Sequence, residues 1–454
     1  MHGVFFCLSY NICLYNLNKN MKNFAITPFK LLFTDRSISL DIIFFSLLFI
    51  FIPVVLITGP ALPDIFLSLI AFYFLVKSVL KKYWHYYQNP IVFSFLLFCI
   101  YSLIRSILSD IPMESLAIEG SMFYFRYIFF AMGVWYLLDN NPYISKCFIV
   151  VSVACLIIVC LDGLYQYFVG INLFGNVREE TNRLTGLFGK EAIIGRYIAY
   201  LSIFTFALIY QNFAKSKKMV ICLISFLVMT EVIVFLTGER APLLYVTLFS
   251  LLLVIFIPHY RIYRILGALV SIIIILGILQ INPTAKDRMV DQTIKQVSQT
   301  TLQYLPYSPH HEEHYVASLK MFIDKPLFGV GTNTFRIKCM DPKYTYGLES
   351  CSSHPHNFYI QILAELGIIG FLFLLSFFLY LFFIGLKQFL SIILFNKERQ
   401  KPFEFLVFPM VLFVYWWPLI PHMSFYNNWN NVLMMLPLGY FMRYLYHNTK
   451  NGNI

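Results

Sequence analysis

Long apolar stretches separated by shorter polar ones dominate the chain. They lie at about 40–58, 62–80, 90–108, 121–138, 146–169, 191–210, 217–236, 241–257, 262–281, 357–385, 403–420 and 428–446. A helix of about 20 apolar residues crosses the hydrocarbon core of a bilayer, where its backbone groups must be paired internally. The pattern therefore predicts an all-α polytopic membrane protein with about 12 transmembrane helices.

Composition agrees with this class. Of 454 residues, 59% are hydrophobic and 13% are charged, and the mean hydropathy is +0.70, whereas a soluble domain carries about 25% charged residues. A formal net charge of +11 would suit a nucleic-acid-binding protein. Here we expect no nucleic acid partner, because the positive-inside rule places such lysines and arginines in cytoplasmic loops. The nine cysteines show no metal-ligand spacing.

The basic residues also predict the orientation. With the N-terminus in the cytoplasm, the basic segments 77–82, 215–218, 261–264 and 387–401 all lie inside. The outer side, which is the periplasm of a cell with two membranes, then receives one large loop between helices nine and ten. The predicted parts are a cytoplasmic N-terminal segment (1–37), helices one to nine (38–281), the periplasmic loop domain (282–355), helices ten to twelve (356–447) and a cytoplasmic tail (448–454).

The large outer loop is predicted to be helical. Thr284-Ala285-Lys286-Asp287 fits the start of a capping box, and Val290, Ile294 and Val297 recur at helical spacing. A second helix is predicted over Tyr315–Ile323. The intervening His310-His311-Glu312-Glu313-His314 resembles a metal cluster. However, adjacent helical residues do not face one another, and no second ligand cluster follows, so we predict no metal there.

Arginines recur on the outer side, where basic residues are otherwise depleted. Arg183 lies in the loop before the sixth apolar stretch, and Arg240 occupies a very short turn that holds it near the membrane surface. Arg288 projects from the first turn of the outer-loop helix. Arg178 and Arg196 are interpreted as side chains that reach the lipid headgroups.

One boundary places several polar groups directly against a long apolar run. Ser352-Ser353-His354-Pro355-His356-Asn357 precedes the tenth apolar stretch. Pro355 disfavours helical backbone at His354, so a helix begins at about Asn357 and His356 lies where water meets hydrocarbon. Gly367 and Gly370 follow in the same stretch. The alternative is a purely structural role, in which His356-Asn357 caps the helix and the two glycines allow close packing.

The spacing His356-Asn357, nine residues, Gly367-x-x-Gly370 resembles the signature of the O-antigen ligase and O-antigen polymerase superfamily. The Arg183–Gly186 stretch, the Gly238-x-Arg240 turn and the turn Pro326–Gly331 resemble further motifs of that superfamily. The resemblance extends from about Arg178 to Gly370. It implies a metal-independent glycosyltransferase, without a cofactor, in the bacterial inner membrane.

The implied reaction moves a glycan from undecaprenyl diphosphate to an acceptor hydroxyl, which in true ligases belongs to the lipid A core. A sugar hydroxyl needs a base within hydrogen-bond reach, and His356 is the candidate by motif spacing. Arginine forks match phosphate oxygens, so Arg240 is expected to act on the diphosphate. Further substrate-binding residues are expected to be Arg288, Arg183, Asn357 and His354, with Asn357 either orienting the base or capping the helix.

Other functions stay open. An O-antigen polymerase or a protein O-oligosaccharyltransferase shares these residues, although the second usually has a longer C-terminal region. A transporter for a lipid-linked sugar is the alternative outside enzymes, and it would favour charges near the bilayer midplane. The candidate arginines and histidines lie instead at the predicted outer edge, where a transporter would not need them. Glu231 in the seventh apolar stretch and Glu365 in the tenth are interpreted as either proton relays or buried partners of polar neighbours.

A disulfide between Cys339 and Cys351 is predicted from the topology. These are the two cysteines placed on the outer side; the others lie in apolar stretches, in the inner loops or near the N-terminus. The periplasm permits the bond, which would fix the approach to His356.

Overall fold

The computed structural model describes residues 26–117, 121–178, 182–213, 217–258, 261–298, 308–394 and 403–450. Regular secondary structure in these ranges is helical, apart from one isolated bridge between Ile171 and Val177. The predicted all-α class is thus confirmed for the described residues. The predicted N-terminal segment lies outside them up to residue 25, and the predicted tail lies outside them after residue 450.

A helical segment at 26–34 precedes the named helices. These begin with α1 (Leu40–Ile50), α2 (Ile52–Val55), α3 (Ala61–Leu80), α4 (Pro90–Ile107), α5 (Pro112–Leu116), α6 (Arg126–Asn140), α7 (Ile144–Val169), α8 (Ile194–Phe213) and α9 (Lys217–Leu236). They continue with α10 (Arg240–Phe256), α11 (Arg261–Ile281), α12 (Pro283–Lys286), α13 (Gln292–Ser298), α14 (Pro309–Asp324), α15 (Phe335–Lys338), α16 (Phe358–Leu394), α17 (Phe403–Tyr415) and α18 (Asn428–Lys450).

Six helices in the described ranges are long and apolar enough to cross a membrane, namely α3, α4, α7, α9, α11 and α16. The pair α1 and 52–58, bent by 40°, makes a seventh if it is one span. This supports a multi-pass membrane protein, and the count of twelve stays a prediction. Three of the other predicted stretches correspond to α6, α8 and α18, which are largely buried inside the bundle. A buried helix contacts other helices rather than lipid, so its outer surface need not be uniformly apolar.

Helix α16 is broken at Gly367, where φ is 66° and ψ is −166°. The turn Pro326–Gly331 packs into this break through its backbone. Val330 N–H donates to the Ala364 carbonyl at 3.0 Å, and Ile368 N–H donates to the Pro326 carbonyl at 2.9 Å. A Cβ on Gly329 would lie 2.3 Å from the Glu365 carbonyl carbon. The glycines of both motifs are therefore required by a close approach of two backbones.

Side chains satisfy the backbone groups around the break. The Tyr101 hydroxyl donates to the Leu366 carbonyl at 2.7 Å, and Arg105 Nε donates to the Phe328 carbonyl at 2.9 Å. The Glu365 carboxylate accepts from the backbone N–H groups of Asn333 (2.9 Å) and Phe335 (3.0 Å). Buried backbone groups in proteins are nearly always paired. Glu365 thus acts here as a partner of polar neighbours.

The described part of the predicted outer loop (282–355) is helical. It comprises α12, a π-helical turn at Asp287–Asp291, α13, α14 and α15. Helix α14 begins at Pro309, with the Ser308 hydroxyl accepting from His311 N–H, and so includes the histidines that precede the predicted Tyr315–Ile323 helix. Cys339 and Cys351, the predicted pair, are joined by a disulfide with their Cα atoms 5.1 Å apart.

Candidate functional site

Four imidazole rings meet just before the start of α16. The ring centroid of His356 lies 4.3 Å from that of His354, 5.1 Å from that of His311 and 5.4 Å from that of His314. His311 and His314 are three residues apart, so they share one face of α14. These four residues are the histidine cluster. The packing of α14 against α16 brings His311 and His314 next to His354 and His356.

The backbone of His356 adopts the left-handed conformation, with φ at 57°. A side chain with a Cβ pays roughly 1–2 kcal/mol there, and such strain is a reason to suspect function. The carbonyl of His356 accepts from His422 N–H at 2.7 Å, which holds the conformation. The next residue, Asn357, caps α16, because its Oδ1 accepts from Tyr359 N–H at 2.9 Å and its Nδ2 donates to the Pro418 carbonyl at 2.7 Å.

The environment keeps these imidazoles neutral. Burial lowers the pKa of His356 to about 2, with further contributions from its histidine neighbours and from Arg196. Burial likewise lowers the pKa of His354 to about 4, although its hydrogen bond to His422 opposes the shift. The pKa of His311 falls to about 4 through burial, the neighbouring histidines and the charge of Arg240. A neutral imidazole has a free lone pair and can accept a proton.

Hydrogen bonding distinguishes His354 from His356. The Nε2 of His354 lies 3.3 Å from the His422 carbonyl, and its Nδ1 lies 2.9 Å from the Ser353 hydroxyl. A carbonyl can only accept, so Nε2 carries the proton and Nδ1 receives the Ser353 hydroxyl. No hydrogen bond within the described residues occupies the ring nitrogens of His356. Of the two, His356 has the lone pair available to a substrate.

The predicted arginines converge on the turn between α9 and α10. Arg240 donates from Nη2 to the Arg288 carbonyl at 3.0 Å and from Nη1 to Gln296 Oε1 at 2.5 Å. Arg288 donates from Nε to the Gly238 carbonyl at 3.1 Å. A Cβ on Gly238 would lie 3.4 Å from Arg288 Cγ and 3.5 Å from Arg183 Cα. Arg183, Arg240 and Arg288, which we call the arginine group, therefore surround one turn.

The arginine group lies near the histidine cluster through Arg240. Burial and the neighbouring histidines lower the pKa of His311, and the charge of Arg240 adds to this shift. Arg240 makes no hydrogen bond to His356 within the described residues. The Nε of Arg240 is buried and has no acceptor in the described protein. A donor in this position can bind an anion supplied from outside.

Residues 223–375 match the sequence model of the family described as O-antigen ligase. This segment is therefore similar to O-antigen ligases. The match covers about a third of the chain and includes Arg240, Arg288 and the whole histidine cluster. It confirms the predicted superfamily, whose members are membrane glycosyltransferases of the ligase and polymerase type. The chain matches no curated protein.

The matched segment and the helix α8 before it contain residues near the site that the sequence did not identify as functional. His311 and His314 were discounted as a metal motif, although their spacing of three already placed them on one helix face. Arg196 and Glu239 also lie beside the site. Arg178, by contrast, donates to the Tyr167 carbonyl at 2.5 Å and lies over the Tyr167 ring. Among the described residues, no group of three or more His, Cys, Asp or Glu is arranged to hold a metal ion.

Proposed function

We propose that the chain is an O-antigen ligase. It transfers a glycan from undecaprenyl diphosphate to a hydroxyl of the lipid A core on the periplasmic face of the bacterial inner membrane. The acceptor oxygen attacks the anomeric carbon of the donor, the bond from that carbon to the diphosphate oxygen breaks, and undecaprenyl diphosphate leaves. The observation that carries this proposal is the neutral, unoccupied imidazole of His356 beside the arginine group, inside a domain of this family.

His356 is the proposed general base. A sugar hydroxyl is a weak nucleophile, and a base within hydrogen-bond reach removes its proton as the new bond forms. His356 suits this role because burial, the neighbouring histidines and Arg196 lower its pKa and keep the imidazole neutral, and its ring nitrogens make no hydrogen bond within the described residues. The proton that it takes is released to solvent after transfer. His354 is the proposed neighbour that shapes the acceptor site.

The arginine group is the proposed diphosphate site. Negative charge develops on the leaving diphosphate, and fixed cations there stabilise the transition state. Arg240 is held by Gln296 and by the Arg288 backbone, so its guanidinium is oriented before the substrate arrives. Arg288 and Arg183 add charge around the same turn. This arrangement supplies positive charge of the kind that a divalent metal supplies elsewhere, and the proposed reaction needs no metal.

The proposal is tested with purified protein, an undecaprenyl-diphosphate-linked glycan and lipid A core. Formation of glycosylated lipid A core that depends on His356 would support it. Gene deletion separates the ligase from the polymerase. Loss of a ligase leaves free lipid-linked polymer, whereas loss of a polymerase leaves single repeats attached to the core. A protein that moves the lipid-linked glycan across vesicle membranes and transfers nothing would be a transporter.

A further inference from the structure

The first turn of α8 is fixed to the turn that carries Arg240. The Glu239 carboxylate accepts from Gly195 N–H at 2.5 Å. A Cβ on Gly195 would lie 2.5 Å from Thr237 Oγ1 and 2.9 Å from Glu239 Oε1, so the two segments approach closely. The next residue on α8 is Arg196. Its position is therefore set by the same turn that positions the arginine group.

The helix face of Arg196 is directed toward the histidine cluster. Tyr200 lies one turn further along that face, and its ring centroid is 5.2 Å from that of Tyr245. The Tyr245 ring is in turn 6.2 Å from the ring of His422, whose N–H holds the His356 carbonyl. The charge of Arg196 accordingly contributes to the lowered pKa of His354 and of His356.

The guanidinium of Arg196 has donors that the protein leaves unused. Its Nε and Nη1 are buried and have no acceptor in the described part of the chain. The nearby Glu239 carboxylate accepts from the backbone N–H of Gly195, and burial raises the pKa of Glu239 to about 7, although the charge of Arg196 opposes this shift. A guanidinium presents five donors in a planar fork, and buried charged donors are costly without acceptors. A ligand that brings anionic oxygens would satisfy them.

We propose that Arg196 binds a phosphate oxyanion of the substrate at the histidine cluster, in addition to the arginine group. This rests on the proposed function for the site, and it adds a binding residue that lies before the matched domain. The oxyanion belongs either to the diphosphate of the donor or to a phosphate on the lipid A core. Both present phosphate oxygens that an arginine fork can bind in pairs.

The test measures binding separately from transfer. Detergent-purified wild-type protein, Arg196→Gln and Arg196→Lys are titrated with undecaprenyl diphosphate and, in a second arm, with phosphorylated and dephosphorylated lipid A core. We expect Arg196→Gln to raise the Kd of one phosphorylated ligand about 10- to 100-fold. Arg196→Lys should fall between, because it keeps the charge and loses the fork. Arg178→Gln is the control, since Arg178 donates to the Gln166 and Tyr167 carbonyls.

The outcomes separate the two phosphate sources. Weaker binding of undecaprenyl diphosphate assigns Arg196 to the donor. Weaker binding of phosphorylated core alone, with dephosphorylated core unaffected, assigns it to the acceptor. Unchanged Kd values in both arms overturn the inference, whatever the transfer assay shows. If Arg196→Gln does not purify as a folded protein, Arg196→Lys decides by the same comparison. Absence of transfer by a wild-type protein that binds through Arg196 would overturn the proposed function alone.

Discussion

The imidazole rings of His354 and His356 lie with their centroids 4.3 Å apart, yet they differ in what occupies their nitrogens. His354 is held on both sides, by Ser353 and by the His422 carbonyl. Within the described residues, His356 is hydrogen-bonded through its backbone carbonyl, in a left-handed conformation, and not through its ring nitrogens. The two neighbouring rings therefore differ: hydrogen bonds fix the ring of His354, whereas the ring of His356 is available to a substrate.

Replacement of His356 tests the assignment of the base. His356→Ala should lower the transfer rate by about 10²–10⁴-fold, which is the usual contribution of general base catalysis. His354→Ala should cost less, because His354 orients its surroundings and does not take the proton. The measurement is kcat of purified protein with the lipid-linked donor and lipid A core.

Membrane insertion and the thermal unfolding midpoint of both variants serve as controls. The assignment is wrong if His356→Ala, properly inserted, transfers at the wild-type rate. It is also wrong if His354→Ala is the more damaging change.

Arg240→Lys tests the arginine group. The guanidinium contacts Gln296 and the Arg288 carbonyl from two different nitrogens, and an ammonium cannot reproduce that planar fork. We expect kcat/KM to fall about 10²-fold, as for loss of one donor to a developing oxyanion. Arg178→Lys is the matched control, because Arg178 makes its contacts with the end of α7. Equal kcat/KM values for the two variants would argue against a role for Arg240 in the reaction.

Local rules predicted much of this architecture from the sequence. Pro355 and Asn357 indicated where a helix begins, and α16 starts at Phe358. The capping-box pattern at Thr284 indicated a helix start nearby, but the observed cap is Asn282, which accepts from Ala285 N–H, and Arg288 lies in the π-helical turn that follows. What could not be predicted was long-range packing: α14 against α16, which brings His311 and His314 to His356, and α8 against the Arg240 turn. The sequence predicts that Arg196 reaches the lipid headgroups, because residue spacing alone does not show which face of a helix packs against other helices.

Chelation tests the proposed independence of metal. If arginines alone stabilise the diphosphate, EDTA should leave the initial rate of transfer unchanged within experimental error. The measurement is that rate in chelator-treated protein, with and without added magnesium or manganese. A known magnesium-dependent glycosyltransferase assayed in the same buffer is the control for effective chelation. Loss of activity that either metal restores would refute the prediction.

Thiol labelling tests the disulfide in protein purified without reductant. Labelling is done in denaturant, because Cys339 is buried in the folded protein. Cys339 and Cys351 should resist alkylation until a reductant is added, so that reduction raises the number of labelled thiols per chain by two. Closing a loop of this size stabilises the folded state by about 3 kcal/mol in the chain-entropy model. Cys339→Ser with Cys351→Ser should therefore lower the thermal unfolding midpoint. Alkylation of both thiols in unreduced protein would contradict the prediction.

Acidification should destabilise the protein, because the histidine cluster is buried neutral. In the folded state the pKa values of His311 and His354 are about 4 and that of His356 is about 2, against about 6.5 in an unfolded chain. Below pH 6.5 the unfolded chain therefore binds protons that the folded protein does not. Each such histidine lowers the free energy of unfolding by about 1.4 kcal/mol per pH unit until its folded pKa is reached. Glu239 opposes this trend, because its folded pKa is raised to about 7, whereas burial also lowers the pKa of His314 and of His422, and both add to the trend.

The measurement is the thermal unfolding midpoint between pH 7 and pH 5. The midpoint should fall as the pH falls, and His311→Gln with His354→Gln should make the decline shallower, since two of the titrating groups are gone. A wild-type midpoint that is constant over this range, or a double variant as steep as the wild type, would show that the cluster does not stay neutral in the folded protein.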